Sequence, residues 1–281
     1  MEKIALICDS TSDLHKEIYE KYNIEMVPFR IIYKDREFLD NVTISPQEVY
    51  NNLSKEVPTT SLPSLQTIDE VFYKIEKEGY THAIVITVSS GLSGTFNAMN
   101  LVSQNHPDLN IHIFDSKTLT MGTGATVLKC AKMIEAGVSF NDIIEELPRY
   151  QDKISVFYVI DTLEYLKKGG RIGKVSGTIG ELLNLKPIIS VNKEGIYYTY
   201  EKARGKKQGL NKLFSIGEKA LNEGPCSVFV LHGGAESEAK ALAARFQCHP
   251  NLKDTYFGDI SPSAGVHTGP GLVGIVVIRE S

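Results

Sequence analysis

The side chains best placed to do chemistry gather in Ser89-Ser90-Gly91-Leu92-Ser93-Gly94-Thr95, a heptapeptide of hydroxyls and glycines. The run before it, His82–Val88, is short, apolar and β-branched, and predicts a buried parallel strand. The run after it, 96–102, predicts a helix. A loop between a strand end and a helix start offers free backbone N–H groups and a positive dipole end to an anion. Glycines admit the anion to the backbone and hydroxyls donate to it, so the loop suits a carboxylate or a phosphate.

A second hydroxyl cluster is Pro58-Thr59-Thr60-Ser61-Leu62-Pro63-Ser64, too rich in Pro for regular structure. Two such loops on one sheet edge could hold a carboxylate at two points. Each neutral hydroxyl bond contributes only about 1 kcal/mol net, so an apolar pocket would have to supply most of the affinity. Ser93 also reads as a plain helix cap, or as a hydrolase nucleophile with Asp115 or Asp161 and His267 following in chain order. The nucleophile elbow needs Gly two residues after its Ser, and Thr95 stands there. A sugar- or phosphate-binding module would use the same loops. His267, in Gly265-Val-His-Thr-Gly-Pro-Gly271 ahead of the last strand, is either a donor to the anion or a turn residue.

The basic loop Lys168-Gly-Gly-Arg-Ile-Gly-Lys174 fails the phosphate-loop pattern, because its glycine spacing is wrong and Val175 follows Lys174. It reads as a solvated turn or a docking surface containing Arg171 and Lys174. Lys202, Arg204, Lys206 and Lys207 form a second basic cluster. Gly122-x-Gly124 lacks the rest of a dinucleotide fingerprint. No His or Cys has a companion at metal spacing, so neither metal nor cofactor is expected.

The elements that must position these groups follow from periodicity. Strands over Lys3–Cys8, Met26–Tyr33, His82–Val88 and Asn110–Asp115 alternate with helices, including one opened by Ser45-Pro46-Gln47-Glu48 as a capping box and one capped by Ser64. Such alternation predicts a mainly parallel sheet covered on both faces, a three-layer α/β/α domain over residues 1–152. Residues 153–281 mix helices with hairpin signals, among them Asn192-Lys-Glu-Gly195, and predict an α+β domain with a mixed sheet. Ligand clefts in open α/β sheets lie beyond the strands' carboxyl ends, where Asp9–Ser12, Thr59–Ser64 and Ser89–Thr95 would fall. Arg171 and His267 are candidates to close that cleft from the second domain.

The chain has 281 residues, 42% hydrophobic and 23% charged, with a formal net charge of −4. That balance gives no general attraction to nucleic acid. No apolar run approaches the roughly 20 residues of a membrane span, and no signal peptide is recognised. The four isolated cysteines fit reduced thiols in a cytoplasmic protein.

Read together, Cys8-Asp-Ser-Thr-Ser-Asp-Leu14, Thr60-Ser-Leu-Pro-Ser64, Ser89–Thr95, Asp161-Thr-Leu-Glu-Tyr-Leu-Lys-Lys-Gly-Gly-Arg-Ile172, Lys186-Pro-Ile188 and His267-Thr-Gly-Pro-Gly271 resemble the DegV family from end to end and in order. The resemblance implies a two-domain protein that holds a long-chain fatty acid between its domains and is not itself a catalyst. It implies the lipid-binding subunit of a bacterial fatty acid kinase. That subunit presents the acyl carboxylate to a separate ATP-using kinase protein, and the acyl phosphate enters phospholipid synthesis. Carried onto this sequence, the carboxylate ligands are Thr60, Ser61 and Ser93, with Gly94 and Thr95 as backbone donors and His267 near the head group. Arg171, Lys174 and Arg204 become candidates for docking the kinase. Leu62 stands where many members have Gln.

Overall fold

Six-residue apolar runs become buried strands because a sheet covered on both faces leaves them no solvent side. In a computed structural model, which describes residues 2–173, 175 and 185–280, β1 (Ile4–Asp9) and β6 (His82–Thr87) are such strands, while β7 (Asn110–Asp115) lies at the sheet edge and is mostly half-buried. With β2 (Ile24–Val27) they form a wholly parallel sheet in the order β2-β1-β6-β7. Alternation assigns the faces. Ala5, Ile7, Ala83 and Val85 pack on α3 (Leu65–Lys77) and α4 (Thr95–Ser103). Leu6, Cys8, Ile84 and Ile86 face α5 (Met121–Glu135) and α6 (Phe140–Gln151). The expected three layers are present.

The second sheet has six strands in the order β10-β9-β8-β13-β11-β12. β8 (Ile154–Val159), β9 (Leu185–Val191), β10 (Tyr197–Arg204), β13 (Leu272–Arg279) and β11 (Cys226–Gly233) are joined antiparallel. β12 (Leu252–Asp259) runs parallel to β11. Its outer face packs on α8 (Gly205–Glu223) and α9 (Glu236–Ala244). Its inner face, with Val156, Tyr158, Leu231 and Val276, shares one core with α5, α6 and the parallel sheet. The sheets therefore enclose common ground between them.

Three expectations need correction. The strand expected over Met26–Tyr33 is two: β2 ends at Val27, and β3 (Arg30–Ile32) joins a separate antiparallel sheet with β4 (Glu37–Leu39) and β5 (Thr59–Ser61). Pro28 separates them, with no N–H to continue a ladder. The loop expected over Thr59–Ser64 begins as strand β5, pairing Thr60 with Ile31 and Ser61 with Arg30. Pro58 and Pro63 bracket that strand and do not dissolve it. Finally, His267 lies on a helix, α10 (Pro262–Thr268), and not in a turn. Ser261 caps that helix and Pro262 occupies its first position, a start signal that the sequence carries.

Candidate functional site

Beyond the carboxyl ends of β1 and β6, between the two sheets, lies a cavity of about 230 Å³. Thr60, Ser61, Ser93, Gly94, Arg171 and His267 all line it. The first four come from β5 and the loop before α4, and the last two from the half of the chain that builds the six-stranded sheet.

The loop 89–94 owes its shape to contacts from outside itself. The Ser89 hydroxyl donates to Gly195 O over 2.9 Å and accepts from Gly91 N–H at 3.0 Å. Gly195 sits in the β9–β10 turn with φ of +76°, in the left-handed region that glycine favours. A Cβ on Gly91 would come within 2.7 Å of Gly195 O, so the turn and the loop touch backbone to backbone. On its other side the Asp115 carboxylate accepts from Ser90 N–H and pairs with Lys117 at 2.7 Å. Helix α4 then starts at Gly94 without a side-chain cap. Ser93 Oγ lies 2.8 Å from Thr95 Oγ1 and accepts from Thr95 N–H. Thr95 itself is fully buried and does not line the cavity.

Across the cavity, Thr60 Oγ1 and His267 Nε2 are 2.7 Å apart. Burial first, and the nearby Arg171 charge second, lower the His267 pKa to about 4, so its imidazole is neutral at ordinary pH. Its Nδ1 is enclosed and has no hydrogen-bond partner among the described residues. An orphaned lone pair costs less than an orphaned N–H, which favours the tautomer that donates from Nε2 to Thr60. The Thr60 proton is then free to point at a bound anion. Gly169 makes this possible, since a Cβ there would fall 2.1 Å from His267 Nδ1. The Gly169 carbonyl in turn accepts from the Arg171 guanidinium over 2.6 Å, which holds that cation at the cavity wall.

Helix α10 is anchored by a buried carboxylate. Asp40 accepts from Ser10 Oγ (2.6 Å), Ser263 Oγ (2.6 Å) and Ser263 N–H (2.9 Å), while Asp13 accepts from Ser261 N–H (2.9 Å). Both put acceptor oxygens at the helix start, where the free N–H groups are. Burial nevertheless pushes the Asp40 pKa up to about 6. Asp9 ties the ends of β1 and β6 by accepting from Val88 N–H and from Thr11.

Most of the remaining wall is apolar, with Phe29, Val88, Leu119, Val156, Leu231 and Val276, and it also holds Thr11, Thr120, Ser263, Thr268 and two phenols, Tyr158 and Tyr197. None of the apolar ones was singled out from the sequence, although Val156 and Val276 alternate with outward residues as inward-facing strand positions do. Of the residues singled out, Arg204 is exposed at the β10–α8 junction and does not line the cavity. Lys174 lies outside the described residues. The Ser–Asp–His order is not a triad: Ser93 Oγ bonds within Thr95, Asp115 serves Ser90 and Lys117, and His267 serves Thr60. No group of three or more His, Cys, Asp or Glu among the described residues is disposed to hold a metal. No helix among them is long and apolar enough to cross a membrane.

Known proteins share this architecture. The chain is 53% identical over 280 residues to a DegV domain-containing protein of Clostridium acetobutylicum, covering all of both chains. A DegV family protein from Thermus thermophilus, solved as a study of its fatty acid binding, superimposes with a TM-score of 0.93 at 28% identity over 99% of this chain and 100% of its own. A stearic acid-binding protein from Eubacterium ventriosum superimposes at 0.89 with 29% identity, over 99% of this chain and 98% of its own. The model of the family described as "Uncharacterised protein, DegV family" matches residues 3–280, and with that span and these relatives the chain belongs to the DegV family.

Proposed function

We propose that this chain binds a long-chain fatty acid in the cavity between its sheets and presents the carboxylate to a separate ATP-dependent kinase. The observation that carries the reading is the division of one cavity. The Thr60 and Ser93 hydroxyls and the Arg171 guanidinium line it as donors, with His267 orienting Thr60, and most of the rest of the wall is apolar. A carboxylate accepts from hydroxyls and a guanidinium, and each buried CH₂ adds about 0.8 kcal/mol. The fatty acid binding of the Thermus thermophilus and Eubacterium ventriosum proteins supports the same assignment here.

In this reading residues 1–152 form the carboxylate-binding domain and residues 153–281 the domain that closes over the lipid. Thr60, Ser61 and Ser93 contact the head group, with Gly94 as a backbone donor, while His267 positions the Thr60 hydroxyl and Thr95 the Ser93 hydroxyl. The chain supplies no catalytic residue and needs no cofactor. Its kinase partner directs a carboxylate oxygen onto the γ-phosphorus of ATP, releasing ADP and leaving the acyl phosphate for phospholipid synthesis in the cytoplasm. Arg171, Lys174 and Arg204 are the docking residues, and Arg171 also lines the cavity. Mass spectrometry of organic extracts from the purified protein tests the binding step. A long-chain acid released in near-equimolar amount is expected. A chain that carries none and takes up no added stearate or oleate refutes the reading.

A further inference from the structure

Within the apolar wall stand two phenols. Tyr158 and Tyr197 both line the cavity, their rings meeting edge to face with centroids 5.8 Å apart. Tyr158 points inward from β8 between Val156 and Ile160, opposite Gly274 of β13. A Cβ on Gly274 would lie 3.1 Å from the Tyr158 Cβ, so glycine there makes room for the ring. The Tyr158 hydroxyl is closed to solvent and has no hydrogen-bond partner among the described residues. Burial holds its pKa well above the usual value, so it keeps its proton at any ordinary pH. The Tyr197 hydroxyl is its polar neighbour, and burial raises that pKa too. Two phenols together carry two protons and can use only one between themselves. At least one O–H donor is therefore left over in the wall of a cavity whose Thr11, Ser263 and Thr268 hydroxyls are already engaged with protein acceptors of their own.

A saturated tail would bury that donor unsatisfied, and sequences generally avoid this by placing Phe. We propose that the cavity takes an acyl chain bearing a hydrogen-bond acceptor along its tail, a hydroxy- or oxo-fatty acid whose oxygen accepts from the Tyr158–Tyr197 pair. This rests on the carrier reading above and narrows its substrate class. The head group is held as before, and the pair supplies a second polar contact at a fixed depth. Recognition therefore depends on where along the chain the oxygen sits.

The test compares stearate with hydroxystearates that carry the hydroxyl at different carbons, on wild type and on Tyr158→Phe. The affinity profile of wild type is expected to peak at one position. At that position the ratio of hydroxystearate to stearate affinity should fall about tenfold in Tyr158→Phe, the size expected for one neutral hydrogen bond. Stearate binding by Tyr158→Phe should tighten, because the donor that a saturated tail leaves unsatisfied is gone. A flat positional profile, or a ratio that Tyr158→Phe leaves unchanged while stearate still binds, overturns the inference and leaves the carrier reading standing. Failure of every acid to bind refutes the carrier reading instead. If Tyr158→Phe does not fold, Tyr197→Phe and the wild-type profile decide in the same way.

Discussion

The Thr60 hydroxyl and the His267 imidazole, 207 residues apart in sequence, meet at 2.7 Å across the cavity. His267 is neutral, and the pairing leaves the Thr60 hydroxyl proton free to face the cavity. Replacing Thr60 by Val removes the hydroxyl at nearly constant volume and leaves His267 Nε2 unpaired. Affinity for stearate should drop about tenfold, and Thr60→Ser should restore most of it. Fluorescent fatty-acid displacement measures both. Equal affinities in wild type and Thr60→Val would remove Thr60 from the head-group site.

The same histidine and Asp40 pull stability in opposite directions with pH. An unfolded His titrates near 6.5, whereas burial and then Arg171 hold the folded pKa at about 4. Below pH 6.5 the unfolded chain gains a proton that the folded chain refuses, so stability falls as pH drops from 6.5 to 4. Asp40 is the reverse: its folded pKa is pushed up to about 6 from 3.8, so stability falls as pH rises across that window. Relative to wild type, His267→Gln should gain roughly 2 kcal/mol on going from pH 7 to 4.5, and Asp40→Asn should lose a similar amount. Urea midpoints at the two pH values supply the comparison. Shifts of the opposite sign would show that these groups do not titrate as their burial requires.

The contact between Ser89 and Gly195 makes the β9–β10 turn a brace for the anion loop. A Cβ on Gly195 would fall 1.8 Å from Ser89 Oγ, and φ there is +76°. Gly195→Ala should cost about 2 kcal/mol or more and weaken fatty acid binding as well, although Gly195 does not line the cavity. Thermal melting and stearate titration of one preparation test the pairing of effects. A loss of stability with binding intact would mean that the loop keeps its shape unbraced.

Ser93 has no base. Its hydroxyl bonds with Thr95, and His267 is occupied by Thr60. A fluorophosphonate probe should leave Ser93 unlabelled, as read by peptide mass spectrometry. Stoichiometric modification there would restore the hydrolase reading.

Much of this was legible in the sequence for a physical reason. The run 82–88 is mostly apolar and β-branched because both faces of its sheet are covered, and local composition reports that burial directly. The capping box at Ser45 and Glu48 is equally local, and it is present. Thr60 and Ser61 were singled out but misplaced in a loop, since β5 is a strand only by pairing with β3, a non-local event. His267 was singled out but its helix was missed, because the seven residues Pro262–Thr268 carry almost no periodicity. The apolar wall was unreadable for another reason. Tyr158 and Val276 look like any inward strand residues, and nothing local distinguishes a position facing core from one facing empty space.

The brace and the Thr60–His267 pair set an order in time. The ribosome makes Ser89 106 residues before Gly195, and Thr60 207 residues before His267. The parallel sheet can fold while the later strands are still unmade, but its anion loop then lacks its brace and Thr60 lacks its histidine. Under the proposed reading, a nascent chain lacks these two contacts until both later segments have been made, so the site is completed late in its own synthesis.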